Sequence, residues 1–261
     1  MYSSLLLAVA LFCNSGESAQ AGNALRVSIR PTYGRLGPTR PDAVYRPLAK
    51  AWFAFALEGL KLDDQNVAVV DIHMAMLDAA GRVHTNTKLD GQRVSAWGGG
   101  PVELDFTFGF APAVPVGQYQ LRITVVDKLA NAEATGNLTF EIREPDFGLF
   151  DPTFALDSQN KEATGPYCFR GQTMFIGSAV GGAAVGGGAV KVRHTCQIIG
   201  EDGKVVFEVS QDHTNANGVQ MEHGFWFRAC RAGKYTLRLQ AEDGIALKSS
   251  RLEIPLTIRE P

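Results

Sequence analysis

The chain has 261 residues, a formal net charge of −2 and 45% hydrophobic residues. That length and hydrophobic content suffice for two buried cores of ordinary domain size. The charge is nearly balanced and no run of Lys and Arg occurs, which excludes the basic footprint of a nucleic-acid-binding protein. No apolar run reaches the ~20 residues that span a bilayer, so the sequence predicts no transmembrane segment.

Residues 1–21 have the pattern of an export signal. Leu5–Phe12 form a short apolar core, and Ala19-Gln20-Ala21 supplies a small-x-small cleavage site. No Lys or Arg precedes Arg26, so the positive segment typical of such signals is missing. We expect cleavage after Ala21 and an extracytoplasmic protein, either periplasmic or secreted. A lipid anchor at Cys13 is the alternative.

The rest of the chain begins with short stretches in which apolar and polar residues alternate, as in half-buried β-strands. Ala24–Ile29 and Trp52–Leu57 predict the first two strands, separated by a connection rich in proline. Apolar residues at every second position from Ala68 to Met76 predict a third strand. Val102–Phe110 shows the clearest alternation. Helical periodicity is absent beyond the export signal.

One pattern occurs twice and divides the chain. Gly117-Gln118-Tyr119 opens a stretch that ends at Arg143-Glu144-Pro145, and Gly233-Lys234-Tyr235 opens one that ends at Arg259-Glu260-Pro261. The two copies align from Tyr to Pro without a gap. Gly-x-Tyr at the start of the penultimate strand is typical of a tyrosine corner, in which the phenol bonds nearby backbone. We therefore assign Tyr119 and Tyr235 a structural role.

The repeat predicts two domains, residues 22–145 and residues 146–261. Positions 190–198 of the second domain correspond to positions 68–76 of the first, at a constant offset of 122 residues. About seven short strands per ~110 residues, with turn signals between them, are typical of a sandwich. The predicted fold is all-β: two tandem antiparallel β-sandwiches after an N-terminal signal peptide.

These features resemble exported bacterial proteins built of tandem immunoglobulin-like or fibronectin type III-like domains. The strand rhythm, the Gly-x-Tyr and the Asp that ends the sixth strand (Asp127 and Asp243) carry the resemblance. The Cys…Trp…Cys spacing of antibody domains is missing, because residues 22–145 contain no cysteine. The resemblance implies a fold and an extracytoplasmic setting but no activity. Such domains serve as spacers, adhesins, enzyme appendages and chaperone-like modules.

No catalytic constellation stands out in the sequence. The serines lack a Gly-x-Ser-x-Gly elbow, and Gly181–Gly188 lacks the Gly-Lys-Ser/Thr of a phosphate-binding loop. Paired carboxylates occur only at turns, Asp63-Asp64 and Glu201-Asp202, where exposure to solvent accounts for them. We expect a protein that is not an enzyme and that uses no cofactor.

Two tryptophans are candidate binding residues. Trp97 precedes three glycines in a loop, and Trp226 lies in a strand whose alternate residues are apolar. A flat exposed ring can stack on a sugar or fill a pocket of a protein partner. The structural alternative is that Trp97 packs under its own loop and Trp226 packs on the neighbouring domain.

Three polar residues of the second domain stand where the first domain has apolar ones: His194, Cys196 and His223. Two imidazoles and a thiol that converge between facing sheets could ligate zinc or copper. The alternative is that the histidines are satisfied by backbone carbonyls or lie near the end of the sandwich in water. A blue-copper centre is not expected, because its Cys-x₂₋₄-His-x₂₋₄-Met run is missing near the C-terminus.

Three cysteines follow the export signal: Cys168, Cys196 and Cys230. Cys196 lies mid-strand on an apolar face, where a small thiol packs without a partner. The connections that contain Cys168 and Cys230 lie at the same end of a seven-stranded sandwich. A Cys168–Cys230 bridge in an oxidising compartment is therefore predicted. A Cys168–Cys196 bridge and three free thiols are the alternatives.

The sequence therefore favours a secreted or periplasmic, non-enzymatic binding or structural module of the cell envelope. Its partner would be an unknown protein or glycan of the envelope. Two alternatives stay open. One is a carbohydrate-binding accessory protein of an exported enzyme, acting through Trp97 or Trp226, and the other is a metal-binding β-sandwich.

Overall fold

A computed structural model describes residues 8–9, 24–47, 49–96, 100–111, 113–144, 146–157, 163–215, 220–229 and 231–261. For residues 8–9, 215 and 220–226 it describes the backbone only. Every regular element within these ranges is a β-strand, and none of them contains a helix long and apolar enough to cross a membrane. The predicted signal peptide, residues 1–21, lies outside the described residues apart from a two-residue strand, Ala8–Val9.

The first compact unit comprises residues 1–32, 40–45 and 51–143. Its strands in chain order are β1 (Ala8–Val9), β2 (Arg26–Thr32), β3 (Val44–Tyr45), β4 (Lys50–Glu58), β5 (Val67–Asp78), β6 (Val83–Ser95), β7 (Val102–Gly109), β8 (Gly117–Asp127) and β9 (Ala132–Ile142). They form one sheet of order β1-β7-β4-β2 and another of order β3-β9-β8-β5-β6. The chain changes sheets between β2 and β3, across the proline-rich connection.

The second compact unit comprises residues 33–39, 46–50 and 144–261. Its strands are β10 (Gly148–Ala155), β11 (Tyr167–Phe169), β12 (Thr173–Gly181), β13 (Val190–Gly200), β14 (Val205–Asn215), β15 (Gln220–Arg228), β16 (Gly233–Asp243) and β17 (Ser249–Arg259). Its sheets have the orders β10-β12-β15 and β11-β17-β16-β13-β14. Apart from β1, this is the connectivity of the first unit.

The strand order identifies both units as immunoglobulin-like sandwiches. When the strands are lettered in chain order, each unit has an A-B-E sheet and an A′-G-F-C-C′ sheet. The short A′ strand runs parallel to G in both units, whereas the F–G, C–F and C–C′ pairs are antiparallel. The predicted fold class, all-β with tandem immunoglobulin-like sandwiches, is therefore confirmed.

Phenylalanines dominate the core of the first unit. Phe53 stacks on Phe106 with ring centroids 5.5 Å apart and an interplanar angle of 21°. The rings of Phe108, Phe140 and Tyr45 approach Phe53 at 6.3, 5.8 and 5.6 Å, edge-on or tilted. Offset and edge-to-face ring pairs contribute about 0.5–1.5 kcal/mol each beyond the area they bury. The alternation that predicted the strands therefore also builds this aromatic core.

The core of the second unit is mainly aliphatic and consists of two clusters. The smaller contains Phe147, Val180, Val190, Val192 and Ala241. The larger contains Tyr33, Phe154, Cys168, Met174, Ile176, Cys196, Ile198, Phe227, Ala229, Leu237, Leu239, Ile254, Leu256 and Ile258. Both clusters are built from the inward positions of alternating strands, as expected for a sandwich.

Tyr33 belongs to the second core although it precedes that core's other residues by more than a hundred positions. The turn that carries it depends on glycine. Gly34 has φ +73°, and a Cβ there would lie 2.8 Å from the carbonyl oxygen of Thr164. A Cβ on Gly37 would lie 1.9 Å from the carbonyl oxygen of Tyr33. Residues 33–39 therefore pack within the second unit, although the sequence repeat assigns them to residues 22–145.

Each unit contains the hydrogen bond that defines a tyrosine corner. The Tyr119 hydroxyl donates to the carbonyl oxygen of Pro115 at 2.7 Å, and the Tyr235 hydroxyl donates to that of Arg231 at 3.2 Å. Tyr119 is only 3% exposed, and burial raises the pKa of its phenol. Tyr235 is half-buried. In both units the bond ties the start of the F strand to the connection before it.

We expect Tyr119→Phe to destabilise the first unit by about 1 kcal/mol, because the hydrogen bond from the buried Tyr119 side chain to the Pro115 carbonyl is lost. Tyr235→Phe should cost the second unit less, since its bond is longer and water can replace the lost hydroxyl. Guanidinium denaturation of the full chain, followed by circular dichroism, measures both. Equal losses in the two variants would contradict the expected ranking.

Candidate functional site

Asp127, a buried aspartate at the end of β8, joins two loops of the first unit. Its Oδ2 accepts a hydrogen bond from the backbone N–H of Lys61 at 2.7 Å, and Lys61 lies in the β4–β5 loop. Its Oδ1 accepts from the N–H groups of Leu129 and Ala130, in the β8–β9 turn, at 2.9 and 3.1 Å. A buried carboxylate is costly unless hydrogen bonds replace its water. These three amides provide them for Asp127, and in doing so fix both loops.

Asp243 makes the same arrangement in the second unit. Its Oδ2 accepts from the N–H of Ala184 at 2.7 Å, in the β12–β13 loop. Its Oδ1 accepts from Ile245 and Ala246, in the β16–β17 turn, at 2.8 and 3.0 Å. Burial pushes the pKa of Asp243 upward, but the bonds from these three amides outweigh it, and the pKa lies below its usual range. The carboxylate therefore remains ionised at neutral pH.

Three connections of the first unit begin at the same end of its sandwich, here called the loop end, because β6 and β8 end beside the start of β5. They are residues 59–66, 96–101 and 128–131. The N–H of Ala96 donates to the carbonyl of Asn66 at 3.0 Å, and the N–H of Lys128 donates to that of Val69 at 2.9 Å. Trp97 lies in the second of these connections, directly after the anchored Ala96, but outside the described residues. The structure therefore fixes where the Trp97 loop begins.

Charged side chains flank the loop end. Lys128 forms an ion pair with Asp71, whose Oδ1 also accepts from the N–H of Gly91 at 2.8 Å. The bond to Asp71 raises the pKa of the Lys128 amine, and the same bond lowers the pKa of the Asp71 carboxyl. Leu129 is 37% exposed beside this pair. The described surface thus combines an exposed apolar side chain with an ion pair.

The predicted metal ligands are placed as follows. His194 is fully buried, and its Nε2 shares a hydrogen bond with the Ser178 hydroxyl at 3.2 Å. Cys196 is also fully buried, and burial raises the pKa of its thiol to about 12, whereas a metal needs the thiolate. No group of three His, Cys, Asp or Glu able to hold a metal occurs among the described residues. The His223 side chain is not among them, so the three-residue site stays a prediction.

Ser178 is the residue that sequence reasoning missed. It lies on β12 between Ile176 and Val180, which belong to the two different core clusters. His194 lies in the same way on β13, between the two clusters, so the polar pair separates them. The backbone register places position 223 directly opposite Ser178. A serine within an apolar strand was the only signal for it in the sequence.

The first unit has aromatic and aliphatic residues at the positions that match Ser178, His194 and position 223. Phe55 and Phe106, whose ring centroids are 5.9 Å apart, correspond to positions 178 and 223. Ile72 corresponds to His194. The same fold is therefore filled by rings in one unit and by a hydrogen-bonded Ser–His pair in the other.

A cleft of about 370 Å³ lies in the first unit where β2 and β4 approach β9. Arg26 and Glu58 line it, together with small side chains such as Ser28 and Ala134. Arg26 and Glu58 are exposed to solvent. Among the described residues that line the cleft, none is a desolvated polar group that would select a ligand.

The other predicted site residues are only partly described. Trp226 lies on β15 opposite Phe175, but only its backbone is described. Cys168 and Cys196 are buried free thiols, so the alternative Cys168–Cys196 bridge is not formed in the structure. Cys230 lies outside the described residues, and the Cys168–Cys230 bridge stays a prediction.

No protein-family model matches the chain, and no curated protein matches its sequence. Among solved structures it is similar to the C-terminal domain of the Streptococcus agalactiae antigen I/II polypeptide BspA, with 9% identity, coverage of 88% of this chain and 99% of that one, and a TM-score of 0.32. It is also similar to the C-terminal domain of the Streptococcus pyogenes antigen I/II-family protein AspA, with 9% identity, coverage of 90% of this chain and 100% of that one, and a TM-score of 0.33. A third similar structure is dimeric latent PorU from Porphyromonas gingivalis, with 13% identity, coverage of 90% of this chain and 20% of that one, and a TM-score of 0.41. The fold assignment rests on the strand order of the chain itself.

We expect Asp243→Asn to destabilise the second unit by about 1–3 kcal/mol, because an amide group cannot accept all three N–H bonds. The depressed pKa of Asp243 gives the wild type stability that is complete above the ordinary value of about 4 and lost as pH falls through the lower folded value. The variant should lack this contribution, so its stability should fall less as the pH is lowered. Urea titrations between about pH 2 and pH 7 measure it. Identical pH profiles for variant and wild type would contradict the role of the carboxylate.

The disulfide prediction is tested on oxidised full chain by proteolysis and mass spectrometry without reductant. We expect a peptide that links Cys168 to Cys230, with Cys196 unmodified because its buried thiol stays protonated. Cys196→Ala is the matched control and should retain the link, whereas Cys168→Ala should abolish it. Three thiols that react after denaturation of the oxidised wild type would rule the bridge out.

Proposed function

We propose that the protein is an extracytoplasmic, non-enzymatic binding module whose first sandwich contacts its partner through the loop end. The observation that carries this proposal is the anchoring of the loops. Asp127 ties the β4–β5 loop to the β8–β9 turn, and the bond from Ala96 to Asn66 ties the Trp97 loop to the same place. Three connections are thus held together on a rigid scaffold.

Loops on a rigid scaffold are where binding residues concentrate. In antibody variable domains, the loops at this end of the sandwich form the antigen-binding surface. The analogy is one of fold, and the particular chemistry here comes from Trp97, Leu129 and the Lys128–Asp71 pair. Tryptophan is the residue type most often found at the centre of a protein interface, and it also stacks on sugars.

The ionisable groups of the second sandwich support a structural role for that unit. On the outer face of its five-stranded sheet, Arg193 pairs with Asp212 at 2.8 Å, and Arg238 pairs with Glu253 at 2.8 Å. These groups bind one another instead of being left available to a ligand. Burial also raises the pKa of the Cys196 thiol to about 12 and keeps it protonated, which disfavours nucleophilic chemistry.

The extracytoplasmic setting is supported by the amino-terminal sequence, in which a short apolar core precedes Ala19-Gln20-Ala21. A setting in the cell envelope makes an envelope protein or glycan the partner. The carbohydrate-binding accessory role is the second candidate, because three glycines, which have no side chains, follow Trp97 in the sequence, and an exposed tryptophan ring can stack on a sugar.

The test measures binding of the full chain to an array of bacterial envelope glycans and to a panel of purified envelope proteins. We expect Trp97→Ala to weaken the strongest interaction about 30-fold, as loss of a central tryptophan does. Trp226→Ala is the matched control and should bind as the wild type does. Binding to a glycan of the array favours the carbohydrate-binding accessory role. Binding to one of the envelope proteins favours a module that binds a protein partner.

Two results would contradict this proposal. One is a Trp97→Ala chain that binds as tightly as the wild type while Trp226→Ala does not. The other is a wild type that binds nothing in either collection. Circular dichroism of each variant checks that the sandwich is folded.

A further inference from the structure

β14 is an open edge of the five-stranded sheet in the second unit. It pairs with β13 on one side, and no strand of the described residues pairs with it on the other. The β13 register continues without a shift from Ile198 opposite Phe207 to Val190 opposite Asn215. β14 is 11 residues long and therefore presents a long row of backbone N–H and C=O groups.

Other edge strands carry a feature that hinders pairing. The equivalent edge of the first unit, β6, has Lys88, Arg93 and Gly91 with φ +61°, and its pairing with β5 contains two register shifts. β2 contains Pro31, and β10 contains Pro152 and a register shift. β3 and β11 have only two and three residues. Lysine, proline, bulges and short length are the usual means of blunting an edge.

β14 lacks each of these features apart from one register shift at its first residues. Its sequence contains no Lys, Arg, Pro or Gly. Val205 and Val206 are 46% and 60% exposed, and Phe207 and Val209 pack only partly into the core. Most side chains of β15, another edge strand, are not described (residues 220–226), so β15 is not part of this comparison. Among the edge strands of the second unit whose side chains are described, β14 is the one left open.

The acidic side chains of β14 are already bound within their own unit. Asp212 accepts two hydrogen bonds from Arg193, at 2.8 and 3.0 Å. Glu208 accepts one from the amide of Gln197 at 2.6 Å. The negative charge that would repel another strand along this edge is therefore partly neutralised or fixed away from it.

We propose that β14 pairs antiparallel with β14 of a second copy of this chain, about a two-fold axis at Val209. This register sets Glu208 opposite Ser210, Phe207 opposite Gln211, Val206 opposite Asp212 and Val205 opposite His213. Directly opposite residues of an antiparallel pair lie on the same face, so the inward face of each β14 continues into the other. The two five-stranded sheets become one continuous sheet.

The second copy is favoured over a foreign strand because the edge is complementary to itself. In this register no carboxylate lies opposite another, whereas a register centred on Ser210 would set Glu208 against Asp212. Like charges directly opposite each other destabilise a strand pair. An isologous contact also uses up the edge on both copies, so assembly stops at a dimer. The blunted β6 prevents the same contact in the first unit.

The test is the oligomeric state of the full chain by sedimentation velocity, from about 1 to about 100 µM, which brackets a micromolar Kd. We expect the wild type to dimerise. Val206→Asp places a carboxylate opposite Asp212 of the other copy at two symmetric points and should raise the Kd about tenfold or more. Val206→Lys faces the same Asp212 with opposite charge and should dimerise at least as well as the wild type.

Val83→Asp is the matched control, because Val83 starts β6 and is similarly exposed, at 56%. It should leave the dimer unchanged. A wild type that is monomeric at about 100 µM overturns the proposal, as does a dimer that Val206→Asp does not weaken or that Val83→Asp weakens equally. Binding through Trp97 is measured separately, so failure of either proposal leaves the other intact.

Discussion

The carboxylate at the end of the F strand is the constraint on which both sandwiches depend. A buried charge has to be compensated by hydrogen bonds, and in each unit the compensation comes from three backbone N–H groups in two different loops. Satisfying the charge therefore fixes the loops. Asp127 in this way positions the proposed binding surface, and Asp243 holds the corresponding loops of the second unit without any partner being implied.

Much of the fold could be predicted from period-two alternation, because a strand with one buried face has apolar residues at every second position. The same rule explains what could not be predicted. β6 and β14 lie at sheet edges, and their largely exposed residues make the alternation weak. Tyr33 could not be assigned to the second core, because nothing in a local pattern encodes a contact with Phe154. For the candidate site, the sequence indicated Trp97 but not the bonds that anchor its loop.

The two cores show that one topology tolerates very different fillings. The first unit relies on contacts between rings such as Phe53 and Phe106, whereas the second places Ser178 and His194 between two aliphatic clusters. The hydrogen bond of the polar pair has a direction, which contacts between rings lack. It favours the alignment of the facing sheets in which the Ser178 and His194 side chains meet.

The place of Tyr33 in the second core has a consequence for how the chain is made and divided. Residues 33–39 are synthesised early, yet the core they complete includes Ile258, near the other end of the sequence. Closing that contact requires a large loop, whose entropic cost slows the folding of the second sandwich. A fragment that starts at residue 146 would contain every strand of that sandwich. It would still lack the Tyr33 side chain, which would leave a cavity of about the size of a ring in its core.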